Sequence, residues 1–211
     1  MEITESRVPA GIPPSAGARG QQLPVPLGDG NRYELIEGEV YWSPPPTERH
    51  RRVCHRLGRA LERMLASSAR GTLLHAREDM EFPVTGEAVQ PDIFLACREA
   101  QGTISGGSPG VPWQPGGPPH LVGPPRPAAS PRLVVEIRSP STAPRHRRLR
   151  RRLYERHGVT EYWLVDPERD AIEVWRFRGE PRHERFTDRL PVRLGSETIG
   201  EIDLAEVFRR G

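Results

Sequence analysis

The chain contains no lysine, because all 31 residues counted as Lys or Arg are arginine. Every mechanism that needs a lysine ammonium group is therefore excluded. Cysteine is also scarce: Cys54 and Cys97 form no CxxC or similar cluster, which argues against a structural zinc site. We expect both to be free buried thiols in a reducing compartment.

Long apolar runs are absent as well. No stretch approaches the ~20 residues of a membrane span, and the N-terminus lacks the charged-then-apolar pattern of a signal peptide. We therefore predict a cytoplasmic protein without a membrane partner. No GxxxxGK[ST] motif occurs, which argues against nucleoside triphosphate use.

What is present fits one domain of moderate size. The 211 residues include 24 Pro and 21 Gly, and the net charge of +3 permits nucleic-acid binding without demonstrating it. Residues 1–30 have no apolar periodicity, so we predict a disordered tail followed by a domain over 31–211. A second stretch rich in Pro, Gly and Ser, at about 99–131, is interpreted as a flexible insertion between two strands.

The remaining pattern alternates strands and helices and predicts an α/β fold. Glu37-Gly38 is typical of a hairpin turn. Thr47 is a candidate N-cap for an amphipathic helix that we expect Gly71 to end. His50 and His55 lie on this helix five positions apart, which does not suit paired metal ligands, and we expect surface or capping roles for both.

One strand carries a carboxylate that needs a partner. In the run 133–137, alternation puts Leu133, Val135 and Ile137 on one face and Glu136 on the other. A carboxylate in an apolar strand is costly to bury unless it is paired or binds a metal.

Asp92 is the predicted partner of Glu136. It follows Pro91 at the start of the run 93–97, and Asp is disfavoured inside strands. If the two strands are neighbours, both carboxylates can converge on one sheet face. Hard oxygen ligands of this kind suit Mg²⁺ or Mn²⁺ and a phosphodiester substrate.

A basic helix follows the Glu136 strand. Six arginines occur within residues 145–152, a density high even for a solvated face. We predict that four of them contact nucleic-acid phosphates: Arg145, Arg147, Arg148 and Arg151.

Several motifs, in order, resemble the Uma-two family of restriction endonucleases, which has the PD-(D/E)XK nuclease fold. They are residues 33–39, Ser43-Pro44 with His50, Gln90-Pro91-Asp92, residues 134–136 with 139–142, Leu153-Tyr154, Gly158-Val159 and residues 161–166. The resemblance implies a mixed β-sheet core flanked by helices. It also implies a metal site made by Asp92, Glu136 and a backbone carbonyl near Ile137. An upstream glutamate completes it, with Glu39 the better match and Glu34 the second.

The sequence departs from the family pattern at its lysines. The lysine expected two residues after Glu136 is Arg138. The aspartate and lysine that many members carry in the following helix are replaced by His146 and Arg150. Arginine can stabilise phosphate charge, but its pKa keeps it from acting as a general base. Arg138 and Arg150 are therefore the candidates for electrostatic catalysis.

Three hypotheses follow. The first is a Mg²⁺- or Mn²⁺-dependent DNA endonuclease. The second is a catalytically impaired member that binds nucleic acid or a protein partner. The third is a structural or toxin-associated module whose basic helix is only a solvated face. The sequence leaves a homodimer open.

Overall fold

The structure is a computed structural model that describes residues 31–66, 71–75, 80–82, 85–97, 131–139, 144–179, 182–194 and 197–210. The tail predicted over 1–30 lies outside these residues, and so do residues 99–130 of the predicted insertion. The side chains of Arg145 and His146 are also outside the description.

The chain begins with a hairpin of strands β1 (Arg32–Ile36) and β2 (Glu39–Ser43). Glu37 and Gly38 both have positive φ, 53° and 77°, as the predicted two-residue turn requires. Strands β4 (Met80–Phe82) and β5 (Glu87–Val89) complete a four-stranded sheet in the order β2-β1-β5-β4.

Helix α1 (Glu48–Ala66) starts where Thr47 accepts a hydrogen bond from the His50 N–H, as an N-cap does. The prediction that Gly71 ends this helix is wrong. The helix ends at Ala66, and Gly71 is the first residue of strand β3 (Gly71–His75).

A six-stranded mixed sheet forms the centre of the fold. Its order is β10-β9-β8-β7-β6-β3, and only β7 and β8 run parallel among these described strands. Helix α2 (Pro144–Arg156) connects that parallel pair. The strands after β3 are β6 (Ile93–Cys97), β7 (Leu133–Ile137), β8 (Glu161–Asp166), β9 (Ala171–Arg176) and β10 (Arg182–Phe186).

The last segment pairs β11 (Arg189–Leu194) with β12 (Glu197–Asp203) and ends in the short helix α3 (Leu204–Phe208). Asp203 caps α3 by accepting a hydrogen bond from the Ala205 N–H at 2.9 Å. The hairpin and α3 pack beside α1.

The two faces of β7 belong to different cores. Leu133, Val135 and Ile137 pack with α1 and α3, whereas Val134 packs with Leu153 of α2 and the four-stranded sheet. This alternation is the predicted one, and it places Glu136 on the α2 side. The predicted α/β class is confirmed. Across the described residues, no helix is both long and apolar enough to cross a membrane.

Candidate active site

Glu136 lies on β7, and Asp92 comes directly before β6, the antiparallel neighbour of β7. The register pairs Ile93 with Val135, so one residue further along Asp92 faces Glu136 across β6 and β7. The side chains are 1% and 3% exposed. The strand pairing that the predicted site required is therefore present, and both carboxylates are buried.

Asp92 is held by three donors. Its Oδ1 accepts from Arg32 Nη1 at 2.6 Å and lies 3.0 Å from His50 Nε2, and its Oδ2 accepts from the Ile137 N–H at 2.7 Å. Burial raises the pKa of Asp92, but His50, Arg32 and the Ile137 N–H outweigh it, so the pKa is below its usual value. Asp92 is thus an ionised carboxylate at neutral pH.

Glu136 lies in a different electrostatic setting. Its Oε2 accepts from Arg150 Nη1 at 2.8 Å and its Oε1 accepts from the Tyr154 hydroxyl at 2.6 Å. Burial, together with the charges of Asp92 and Glu34, raises the pKa of Glu136 to about 7, although Arg150 and Tyr154 oppose the rise. Burial and two neighbouring acids therefore disfavour the charged form of Glu136.

Arg150 joins Glu136 to the other sheet. Its Nε and Nη2 donate to Glu34 Oε2 at 2.9 and 2.5 Å, while Glu34 Oε1 accepts from the Gln90 N–H at 3.0 Å. Burial lowers the pKa of Arg150, but Glu136 and Glu34 outweigh it and raise the pKa above its ordinary value. One buried guanidinium thus bridges a carboxylate on β1 and a carboxylate on β7.

The two candidates for the upstream glutamate lie on the same face of the first hairpin. Glu34 is buried and in direct contact with Arg150. Glu39 lies on the outer strand β2, opposite Ile36, and accepts from the Tyr41 hydroxyl at 2.9 Å. The structure brings Glu34 together with Glu136 through Arg150 and places Glu39 one strand further out.

Arg138 follows the end of β7 and turns to Asp166. Its Nη1 donates to Asp166 Oδ2 at 2.5 Å, and a third of its side chain is exposed. Ile137 is buried in the core on the α1 side, and its N–H donates to Asp92 Oδ2. Arg138 is therefore a rim residue beside the carboxylates, whereas Arg150 is an interior one.

The described arginines of α2 divide between two environments. Arg148 is exposed, and Arg147 and Arg151 are partly buried. The Arg151 guanidinium lies 5.9 Å from the centre of the Trp175 ring. Exposed and partly buried arginines therefore lie on the same helix as the buried Arg150.

His50 is the functional candidate that sequence reasoning misplaced. It is 6% exposed and bonded to Asp92, so the predicted surface or capping role is wrong for His50, while His55 is exposed as expected. The signal was available, because His50, Val53, Leu57 and Leu61 form one buried stripe of α1 at helical spacing. Among the described residues, His50 Nδ1 is a buried polar atom without a hydrogen-bond partner.

The donor set is chemically suited to Mg²⁺ or Mn²⁺. Asp92 Oδ1 and Glu34 Oε2 each have two partners, whereas Asp92 Oδ2 and the two oxygens of Glu136 each accept one hydrogen bond and can accept a second interaction. No group of three His, Cys, Asp or Glu side chains within the described ranges is arranged to hold an ion. Mg²⁺ needs only one or two carboxylates plus water and substrate phosphate, so Asp92 with Glu136 is a sufficient side-chain set.

A sequence model for the family Uma2, described as "Putative restriction endonuclease", matches residues 20–205. Among solved structures, a crystal structure of a "putative nuclease belonging to DUF820" from Anabaena variabilis ATCC 29413 is similar to this chain. The TM-score is 0.61 at 18% identity, over 83% of this chain and 89% of that one. At this identity the likeness shows the fold, which confirms the restriction-endonuclease-like architecture. No curated protein matches the sequence.

Proposed function

The chain belongs to the Uma2 family of restriction-endonuclease-like proteins, and from this premise we propose that it is a metal-dependent endonuclease that hydrolyses DNA phosphodiester bonds. The observation that carries the proposal is the position of two buried carboxylates opposite each other, Asp92 just before β6 and Glu136 on β7. Two neighbouring carboxylates, with the arginines of α2 on the next element of the chain, suit a divalent cation and a phosphate.

Asp92, Glu136 and the carbonyl of Ile137 would hold Mg²⁺ or Mn²⁺, with Glu34 or Glu39 as the upstream glutamate. Such an ion activates water and neutralises charge on the phosphate. Glu34 is supported by its contact with Arg150, and Glu39 by the family pattern.

The arginines supply the charge that lysine supplies in other members. Arg150 holds Glu136 and Glu34 in place and puts a permanent cation where a phosphate oxygen would develop charge. Arg138 adds a second cation at the rim. Arg145, Arg147, Arg148 and Arg151 would bind the DNA backbone along α2.

The test uses supercoiled plasmid and linear DNA with Mg²⁺, with Mn²⁺ and with EDTA. The wild-type protein cleaves with either metal, and Asp92→Asn and Glu136→Gln lower the rate by about 100-fold or more. Glu168→Gln, on an exposed turn, is the matched control and keeps the wild-type rate. Titration of Mn²⁺ by calorimetry gives a second readout. The affinity for Mn²⁺ should fall in Asp92→Asn and stay at the wild-type value in Glu168→Gln.

The contradictory result is equally clear. Protein that leaves DNA intact with both metals, yet binds it in a salt-sensitive and EDTA-insensitive way, is the catalytically impaired member. The observation on that side is that every oxygen of Glu34, Asp92 and Glu136 already has a protein hydrogen-bond partner. Light scattering on the same preparation decides between a monomer and the homodimer that the sequence leaves open.

A further inference from the structure

A row of aromatic rings leads from Glu136 to the edge of the six-stranded sheet. Tyr154, which donates to Glu136, lies with its ring centre 5.4 Å from that of Tyr162, and Tyr162 lies 5.5 Å from Trp175. Trp175 stacks on His183 at 4.4 Å with the planes only 11° apart. The row is set by register, because Tyr162, Trp175 and His183 are direct cross-strand partners on β8, β9 and β10.

The outer end of this row is open to solvent. Tyr162 is buried and Trp175 is partly buried, whereas the His183 side chain is 51% exposed. β10 is the terminal strand of the sheet among those described. The ring of His183 is therefore accessible to solvent on the side away from Trp175. We call the unit of Trp175, His183 and Arg151 the stacking platform.

The charges around the stacking platform are suited to a polyanion. Arg151 lies over the Trp175 ring, and the exposed Arg148 is on the same helix. Arg185 is exposed on β10, two residues from His183. Glu173 lies beside the platform with its Oε2 3.1 Å from His183 Nε2, and this carboxylate accepts a hydrogen bond when that nitrogen carries the proton. Arg148, Arg151 and Arg185 thus give the platform cations that can meet the phosphates of a nucleic acid.

We propose that the stacking platform binds an unpaired nucleobase, so that the substrate of this nuclease is nucleic acid with a single-stranded segment beside the scissile bond. The inference rests on the proposed function only in taking nucleic acid as the ligand. An exposed ring with arginine at its border binds a base of any sequence, because every base offers a π-face and the arginines hold the adjoining phosphates. In a duplex the faces of the bases are already stacked, so a duplex cannot offer one to His183.

The geometry links the platform to the site without overlapping it. His183 lies three strands from Glu136, ~14 Å at the usual strand spacing. The stacked base is therefore several nucleotides from the bond to be cleaved. The stacked base fixes the path of the nucleic-acid strand over β8 and β9 toward Glu136.

The experiment measures stacking without cleavage. A single-stranded oligonucleotide containing 2-aminopurine is titrated in EDTA, because stacking on an aromatic ring quenches this base. We expect quenching with the single strand and none with the matched duplex. His183→Ala should weaken single-strand binding about fivefold or more and leave duplex binding unchanged. His55→Ala, the same change at an exposed histidine of α1, is the control and should change neither.

Trp175→Leu is the second variant and should remove the quenching. Because Trp175 is partly buried, its fold is checked by circular dichroism, while the exposed His183 keeps the test decisive on its own. Equal single-strand affinity for His183→Ala and wild type overturns the platform. If that happens while Glu136-dependent cleavage persists, only the substrate inference fails. If stacking persists without cleavage, only the proposed function fails.

Discussion

At the scale of single residues, the replacement of lysine by arginine changes what the cation can do. Lysine is a compact point charge, whereas the planar guanidinium of Arg150 donates to Glu34 and Glu136 at once. It cannot give up a proton, so its contribution is to hold two carboxylates and offer a fixed charge. The interior of the site is therefore balanced by a residue that belongs to the fold as much as to the chemistry.

Removal of Arg150 should destabilise the protein strongly. Arg150→Met leaves Glu34 and Glu136 buried without their cation and should lower the free energy of unfolding by about 3–5 kcal/mol. Arg150→Lys keeps the charge but cannot contact both carboxylates, so its free energy of unfolding should lie between those of the wild type and Arg150→Met. Arg148→Met, the same change two residues earlier at an exposed position, should stay within about 0.5 kcal/mol. Urea unfolding measures all three, and equal stability of the two methionine variants would contradict the structural role of Arg150.

Asp92 and Glu136 could be singled out from the sequence because an acid at the edge of an apolar run stands out by alternation alone. Helical spacing places His50 on the buried stripe of α1, but its bond to Asp92, 42 positions away, is a long-range contact that no local pattern predicts. The choice between Glu34 and Glu39 was also open from sequence. Both point to one face of the hairpin, and only the docking of α2 decides which meets Arg150.

At the scale of elements, α2 is the piece that connects the site to its surroundings. Its C-terminus is closed by Gly158, which has φ of 77°, with Gly158 N bonded to Glu155 O and Val159 N bonded to Tyr154 O. Leu153 and Tyr154 face the core, and Arg148 faces solvent. The predicted glycine cap is confirmed here, whereas the predicted end of α1 was wrong because the helix stops at Ala66, and Gly71 begins strand β3.

The exposed face of α2 should set the salt dependence of DNA binding. Arg148→Gln should reduce the slope of log K against log[salt] by about 0.9 for duplex DNA if Arg148 contacts one phosphate. Arg63→Gln, at an exposed arginine of α1 on the other side of the central sheet, should leave the slope unchanged. Fluorescence anisotropy over a range of salt concentrations gives both slopes. Equal slopes for the two variants would mean that α2 is not the phosphate-binding element.

At the scale of the whole molecule, ionic contacts connect the four-stranded sheet to α2. Arg150 joins α2 to β1, and Glu87 of β5 accepts from Arg156 at 2.6 Å and lies 2.7 Å from His157 Nε2. Burial alone would raise the pKa of Glu87. The hydrogen bonds from His157, the Glu37 N–H, Thr85 and Arg156 outweigh it and lower the pKa to about 2. The contact between the four-stranded sheet and the C-terminal end of α2 thus depends on an ionised Glu87.

This dependence predicts an acid-labile fold. Because the folded pKa of Glu87 lies below that of the unfolded chain, ~4.3, its contribution is complete above pH ~4.3 and disappears as pH falls toward 2. Glu87→Gln should cost on the order of 2–3 kcal/mol at pH 7, and the cost should shrink below pH 4. Glu155→Gln, at an exposed acid of α2, should show no such change. Unfolding curves for the three proteins between pH 7 and pH 2 test this, and a cost for Glu87→Gln that does not vary with pH would contradict it.

The order of strands and helices was accessible from sequence because hydrophobic alternation and turn residues are local signals. The partition into two cores was not, since it needs the pairing of β1 with β5 and the docking of α2 on β1. Neither contact leaves a local trace in the chain.

The connection between β6 and β7 leaves the sheet at the end opposite the carboxylates. Asp92 precedes β6 and Glu136 is near the end of β7, whereas residues 98–132 connect Cys97 to Leu133 at the far end of both strands. For protein engineering, the length of this connection is therefore independent of the position of the acidic pair. We therefore expect that a reporter domain or an affinity tag inserted into this connection leaves the spacing of Asp92 and Glu136 unchanged.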